Sequence, residues 1–325
     1  MSMRHKVSAI CTTLNCVEGL RETIEYFADY CRRGILEEII VVDGGSHDGT
    51  WETLVELSEK IPCLKVFSRP GYNISQGRNE CVSHCTGDII LCFDSGCRYD
   101  DVYVEKMLAP FEESQPPDVV GGRTIRVGQT PFEIALANLG KGSASEQMSS
   151  HRAIAYRREV FDAVGGYREH VPAGEDTHFN ASWIRLGKSF RFLPDAKVYW
   201  RVRGNLRSCY RMVKRNIYGH VVLGERFGSR NLYFIVLIYA TIFSSIILAC
   251  FYAQLWLVPI GITLAYWTFR MFRKGRWQFF IKPWNYVRGA MIIVCMDFGM
   301  LAGIAKGIKH YLTVRCTKAT GQERD

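Results

Sequence analysis

The stretch Gly87-Asp-Ile-Ile-Leu-Cys-Phe-Asp-Ser-Gly-Cys97 reads as a buried strand that stops at a carboxylate. Ile89 to Phe93 form a short continuous apolar run, the pattern of a central strand in a parallel sheet covered on both faces. Asp94 follows at the strand's carboxyl end, and Ser95 and Gly96 turn the chain. Ligands of open α/β sheets bind outside the carboxyl ends of the strands. A carboxylate there is placed to hold a divalent metal or a ribose. Taken alone, the same Asp-Ser-Gly reads as a turn cap.

Three upstream segments read as strands of the same sheet: Val7 to Cys11, Glu38 to Val42 and Leu64 to Phe67. Leu20, Ile24, Phe27 and Tyr30 have helical spacing and predict a helix from about Val17 to Arg33. Further helices are expected from Trp51 to Lys60 and from Gly71-Tyr-Asn-Ile-Ser-Gln-Gly-Arg-Asn79 to about Cys85. This strand–helix alternation predicts a doubly wound α/β sheet with parallel strands. Asp43-Gly-Gly-Ser-His-Asp-Gly-Thr50 is a glycine-rich turn in which Asp48 or Thr50 can cap the next helix.

The first βα turn has no Gly-x-Gly-x-x-Gly, and Gly140-Lys-Gly-Ser143 lacks the upstream glycine of a P-loop. What remains is a sheet with Asp43 and Asp94 ending two strands. That arrangement suits a nucleotide held without a P-loop, one carboxylate accepting from a base N–H and the other working near metal and ribose. Val119 to Val127 reads as another strand. Residues 128–152 read as a glycine- and serine-rich loop with one helix, and Tyr156 to Ala163 as a helix stopped by Gly165-Gly166. Pro172-Ala-Gly-Glu-Asp-Thr177 leads into a helix through Phe179, Trp183 and Leu186. Glu175 and Asp176 fall at its N-terminus, where the helix dipole favours ionised carboxylates. Such a pair can be a capping device and nothing more.

The chain has 325 residues, 48% of them hydrophobic, and a net charge of +9. Apolar residues crowd the C-terminal third. An apolar run at about 232–252 is long enough to span a bilayer, and a second at about 255–271 follows a break at Ala253-Gln254, which predicts a membrane hairpin. Arg226 and Arg230 precede it; Arg270, Arg273, Lys274 and Arg276 follow it, so both ends read as cytoplasmic. A segment at about 289–306 contains Asp297, which would cost about 2.5–3.5 kcal/mol at a helix centre. It reads as an interfacial helix in preference to a third span. Gly299, Gly303 and Gly307 recur every four residues and permit close packing on the hairpin. A basic juxtamembrane helix at about 205–226 suits either anionic lipid or a solvated face.

Two regions are therefore expected: 1–228 as an α/β domain and 229–325 as membrane attachment. Basic runs beside apolar runs point to a membrane, and no nucleic-acid partner is expected. The 12 cysteines show no zinc spacing and suit a reducing compartment. The N-terminus leads straight into a strand, so no signal peptide is expected.

The ordered blocks resemble glycosyltransferase family 2, whose nucleotide-diphospho-sugar fold is called GT-A, a Rossmann-like fold. The blocks are Ser8-Ala-Ile-Cys-Thr-Thr-Leu-Asn15, Ile40 to Thr50, Gly77-Arg-Asn79 with Gly87 to Asp94, and Gly174-Glu-Asp176; Tyr156 to Tyr167 adds to them. The resemblance covers about residues 6–205. The membrane part is similar to that of exopolysaccharide, succinoglycan-type members.

The resemblance implies an inverting, metal-dependent transferase. It would move a sugar from a nucleotide-sugar donor to a lipid-linked saccharide or other polyprenyl-linked acceptor, at the plasma or inner membrane with its catalytic domain cytoplasmic. A polyprenyl-phosphate sugar synthase and a non-catalytic nucleotide-sugar-binding membrane protein are the alternatives. The resemblance further implies that Asp43 accepts from the base, with Thr13 and Asn15 lining that pocket. Arg78 would stand near the nucleotide phosphates, and Asp94 would bind Mn2+ or Mg2+. Asp176 would be the general base, and Glu175 would position the acceptor. Three positions depart from the family pattern. The Asp-x-Asp metal motif is Asp94-Ser95-Gly96, a frequent Tyr is Leu14, and a frequent Asp after the Glu-Asp pair is His178. His178 is open to roles as ligand, acceptor contact or structural residue. The absence of Gln-x-x-Arg-Trp implies transfer of one sugar per encounter.

Overall fold

The structure is a computed structural model that describes residues 5–139, 150–171, 173–224, 230–272 and 278–319. Pro172, residues 140–149 of the glycine- and serine-rich loop, and Arg226, Arg273, Lys274 and Arg276 lie outside the described residues. The chain forms two compact units: Met1–Arg126 with Gly142–Arg201, and Val127–Lys141 with Val202–Asp325.

The strands are β1 (Val7–Thr13), β2 (Glu38–Asp43), β3 (Leu64–Ser68), β4 (Ile89–Cys92), β5 (Arg98–Tyr99), β6 (Val119–Val127), β7 (Ile154–Arg157) and β8 (Phe190–Arg201). The helices up to the end of the first unit are α1 (Leu20–Arg32), α2 (Thr50–Lys60), α3 (Ile74–His84), α4 (Tyr103–Leu108), α5 (Pro131–Leu139, in the second unit), α6 (Arg158–Val164) and α7 (Glu175–Arg185). The strand order is β3-β2-β1-β4-β7-β6-β8-β5. β1, β2, β3 and β4 pair in parallel, as expected. Beyond β4 the sheet is mixed, because β7 lies antiparallel to both β4 and β6.

That half of the sheet departs from the all-parallel expectation. Tyr156 and Arg157, read as the start of a helix, are the last residues of β7; Ile154 to Tyr156 are fully buried between two strands. β8 carries Pro194 and lacks a clean apolar alternation, which hid it from the sequence. At the next helix, α2, Gly49 takes the cap position, and the Asp48 carboxylate accepts from the Thr50 N–H at 3.1 Å.

Successive strand residues face opposite sides of the sheet. Ile39, Val41 and Leu91 pack with Leu20, Ile24 and Phe27 of α1. Ile40, Val42, Ile90 and Cys92 pack with Tyr156, Phe179 and Trp183 on the other face. A strand covered on both faces needs apolar residues at every position, hence the continuous runs.

One buried carboxylate sits at the other end of these strands. Glu38, 3% exposed, accepts from Ser8 at 2.7 Å, the Thr86 N–H at 2.6 Å and Lys65 at 2.6 Å. Burial pushes its carboxyl up, but Lys65, Thr86 and Ser8 outweigh that and bring it down to about 2. A depressed carboxyl stabilises the fold above its unfolded value, and that contribution is lost as pH falls through its folded value. Glu38→Gln is expected to destabilise the protein by about 1–3 kcal/mol at pH 7. The gap should close between pH 4.5 and about 2, which denaturant titrations at stepped pH will read.

The second unit contains α5, α8 (Leu206–Val222), α9 (Arg230–Phe251), α10 (Leu257–Phe272), α11 (Gln278–Ile281) and α12 (Pro283–Ala319). Among the described residues, three helical segments are long and apolar enough to cross a membrane: Tyr233–Phe251, Gln254–Phe272 and Pro283–Thr313. Leu237, Phe243, Phe251 and Leu257 point outward, an apolar surface far beyond that of a soluble helix pair.

Asp297 is 1% exposed but not isolated. It accepts from Tyr266 at 2.6 Å, Tyr239 at 3.2 Å and Arg270 at 3.0 Å, so one carboxylate joins α9, α10 and α12. The cost of a lone intramembrane charge therefore does not apply to it. Gly299, Gly303 and Gly307 face α8, not the hairpin. A Cβ at Gly303 would fall 2.7 Å from the Lys214 carbonyl oxygen, so glycine sets the approach of α8 to α12. Arg207, Arg211 and Arg215, four residues apart, stay exposed on the outer side of α8.

Candidate active site

The carboxyl ends of β1, β2 and β4 converge in the first unit. Register places Thr13 opposite Asp43. The Thr13 hydroxyl shares a 3.0 Å hydrogen bond with the Ser95 hydroxyl, joining β1 to the Asp94 turn. Asn15, left-handed at φ 49, donates its N–H to Ser46 at 2.7 Å and accepts from the His47 N–H at 2.9 Å. Those bonds tie the loops after β1 and β2 together. Leu14 stands exposed beside Gly44 on the same rim.

Asp43 is 1% exposed. Its Oδ2 accepts from the Gly45 and Ser46 N–H groups, both at 2.9 Å, and its Oδ1 accepts from the Ser46 hydroxyl at 2.5 Å. The carboxylate thus builds its own turn and keeps one lone pair of Oδ1 for a further donor.

Asp94 lies two residues past β4, its side chain 29% exposed. Its N–H donates to the Tyr99 hydroxyl at 2.9 Å, which fixes the turn. Gly96 is left-handed at φ 72, and a Cβ there would meet the Cys16 sulfur at 3.0 Å. An aspartate at position 96 would take a left-handed backbone and press its Cβ against Cys16, so glycine suits this turn better than a second carboxylate does. Among the described residues, no three His, Cys, Asp or Glu side chains gather to hold a metal. Half-buried His178, one turn into α7, joins no such group. A divalent ion still fits Asp94 as a site with one protein carboxylate. Mg2+ commonly takes one or two carboxylates and completes its shell with substrate phosphate and water.

Arg78 of α3 is the hub. It is 7% exposed and donates to Glu175 at 2.9 Å, with Asp94 at 3.8 Å. Its guanidinium lies over the Tyr167 ring at 5.3 Å. One buried cation thus joins the β4 turn to the start of α7. Gly174, at φ 87, caps α7 and presents Glu175 and Asp176 in its first turn.

The two carboxylates are tuned apart. Burial raises Glu175, although Arg78 pulls against it. Burial also pushes Asp176 up. It is outweighed by His151, cationic only in the acid range where Asp176 titrates, and by Arg78, the Thr177 N–H and Arg152, so Asp176 is held below its ordinary value. A pair of acids with separated values is the usual mark of distinct chemical roles.

The structure brings together six of the seven residues expected at the site as two linked groups. Thr13, Asn15 and Asp43 form the rim of β1 and β2, while Arg78, Asp94 and Glu175 form one ion-paired cluster. Asp176 adjoins that cluster through α7. Two further residues had no local signal in the sequence. Arg152 donates from Nε to Asp94 Oδ2 at 3.0 Å and lies over the Trp200 ring at 4.4 Å. His151, fully buried, bridges the Tyr167 hydroxyl at 2.7 Å and Asn180 Oδ1 at 3.1 Å. Burial pushes it down to about 4, so it is neutral at pH 7.

The mixed Rossmann-like sheet of the first unit is that of the GT-A fold. Residues 8–168 match the family model described as glycosyl transferase family 2, and this chain belongs to that family. Across residues covering 94% of this chain and 88% of the other, the fold is similar to a mannosyltransferase from Pyrobaculum calidifontis in complex with GDP-Man and Mn2+, at a TM-score of 0.60 and 18% identity. Dolichol-phosphate mannosyltransferase of Pyrococcus furiosus is 28% identical over 50% of this chain and 45% of its own. Succinoglycan biosynthesis protein ExoA of Rhizobium meliloti is 28% identical over 46% of this chain and 49% of its own. The chain thus spans about half the length of these curated relatives.

Proposed function

We propose that the chain transfers a sugar from a nucleoside diphosphate donor to a lipid-linked saccharide, with inversion, at the cytoplasmic surface of a membrane. The observation that carries this reading is Arg78, which ties the Asp94 turn to Glu175 beside Asp176. Donor-side and acceptor-side carboxylates are thereby held in one rigid cluster.

On this reading Asp43, Thr13 and Asn15 meet the nucleoside, and Asp94 faces the diphosphate. Asp176 accepts the acceptor hydroxyl's proton while that oxygen's lone pair forms the new bond to the anomeric carbon. The old carbon–oxygen bond breaks and its electron pair leaves on the diphosphate. Glu175, kept in place by Arg78, orients the acceptor. A divalent ion held by Asp94 would supply charge compensation on the departing diphosphate. A single displacement gives a β-linked product from an α-linked donor.

Membrane attachment rests on the outward apolar faces of α9 and α10, and the cytoplasmic assignment on the exposed cations of α8 with Lys306 and Lys309 of α12. Residues 1–228 are then the catalytic region and 229–325 the attachment. A relative named for dolichol-phosphate transfer supports a second reading, in which the acceptor is a polyprenyl phosphate. That acceptor is already an anion and needs no base.

The test is a panel of UDP-, GDP- and dTDP-sugars offered to detergent-purified protein with Mn2+ or Mg2+ and lipid extract. Release of nucleoside diphosphate from one donor, lost in Asp94→Ala, is the expected result. Binding of a donor without release from any would remove the transferase reading.

A further inference from the structure

Asp94 has no second carboxylate in its turn, where Ser95 and a closely packed Gly96 follow it. What stands there instead is positive. Arg152, just before β7, turns Nε to Asp94 Oδ2 at 3.0 Å. Its guanidinium carbon lies over the ring of Trp200 of β8, 4.4 Å from the centroid. Its own carbonyl oxygen accepts from Tyr99, the residue that also fixes the Asp94 turn. The side chain is therefore held by two contacts and its backbone by a third. Among the described residues, neither η-nitrogen has a hydrogen-bond partner. A guanidinium held at Nε and placed over an aromatic ring, with its η-nitrogen donors free among the described residues, matches the fork that recognises phosphate oxygens.

We propose that Arg152 is a phosphate-binding residue of the donor site, taking the outer phosphate of the nucleoside diphosphate with its η-nitrogens. It supplies in charge what the turn lacks in metal ligands. With only Asp94 to anchor an ion, a metal would be held more by the substrate than by the protein, and a fixed guanidinium would keep the diphosphate in place without it. Asp94 has two duties in this scheme: it orients Arg152 through Nε, and it would hold the ion. Trp200, under the guanidinium carbon, limits the positions that the planar group can take. The inference rests on the donor-site reading above and adds a residue to it.

The experiment is calorimetric binding of nucleoside diphosphate and nucleoside monophosphate to the full-length protein in detergent, with Mg2+ and again with chelator. Wild type is expected to keep measurable diphosphate binding in chelator. Arg152→Met is expected to lose about 10–100-fold in diphosphate affinity, the range for a charged hydrogen bond, and much less in monophosphate affinity. Arg152→Lys should recover part of the loss, since it restores charge without the fork. A purely structural arginine would lower both affinities together, so an unchanged diphosphate-to-monophosphate ratio in the Lys variant overturns the proposal even if the Met variant fails to fold. Equal diphosphate binding by wild type and Arg152→Met also overturns it. If wild type binds no nucleoside diphosphate in any condition, the donor-site reading itself falls.

Discussion

Asp176→Asn is expected to lower transfer to a hydroxyl acceptor by about 10²–10⁴-fold, the usual weight of a general base. Binding of nucleoside diphosphate should stay unchanged. The substitution keeps the size of the side chain and its Oδ1 bond to the Thr177 N–H, which is 2.7 Å long in the native protein. It removes only the charge and the proton-accepting oxygen. Against burial, Asp176 is held below the ordinary carboxylate range by His151, cationic only in the acid range, and by Arg78, the Thr177 N–H and Arg152. It is therefore ionised throughout the neutral range, and the acid limb of the rate profile that belongs to it should lie below pH 3.8. A neutral-pH limb in the wild type would then report another group. Initial rates with a saturating donor read the effect, and calorimetry of the diphosphate separates chemistry from binding. Full activity in Asp176→Asn would instead favour an anionic phosphate acceptor, because that nucleophile has no proton to lose.

What the sequence made legible follows from how far each interaction reaches along the chain. Asp43 and Asp94 were readable because the apolar run before each one marks a buried strand, and the turn after each is local. Glu175 and Asp176 were readable for the same reason, a glycine cap followed by helical spacing. Arg78 was found, but its partner was not. The Glu175 contact joins residues 97 apart, and nothing in the local pattern of α3 predicts it. Arg152 reaches Asp94 across 58 positions from a stretch that reads as loop. The antiparallel strands escaped for a different reason. β7 is four residues long and runs directly into α6, so helical spacing masked it. The glycines of α12 were correctly read as a packing face, but composition cannot say which helix fills it. Asp297 shows the same limit: its charge was visible, and the Arg270 that balances it was not assigned to it.

Arg78→Met should be the most damaging single change in the first unit. It leaves Glu175 buried without its cation, and removing one partner of a buried pair costs about 3–5 kcal/mol. In a domain of this size that corresponds to a fall in melting temperature on the order of 10 °C. The pair itself contributes less than this figure, because both groups were desolvated to make it. The second partner therefore carries the decisive comparison. Arg78→Met combined with Glu175→Gln should be more stable than Arg78→Met alone, since the stranded charge is gone. The pH dependence has a definite sign. Glu175 already sits above its ordinary value through burial, and without Arg78 its carboxyl rises further. A group raised on folding stabilises below its unfolded value of 4.5 and loses that contribution as pH rises through its folded value. Arg78→Met should thus recover stability relative to wild type as pH is lowered from 7 toward 4.5, while the double variant should show no such recovery. Thermal melts of the three proteins across that range test the point. A single variant that stays as destabilised at pH 4.5 as at pH 7 would mean that lost packing over Tyr167, and not the stranded Glu175, sets the cost.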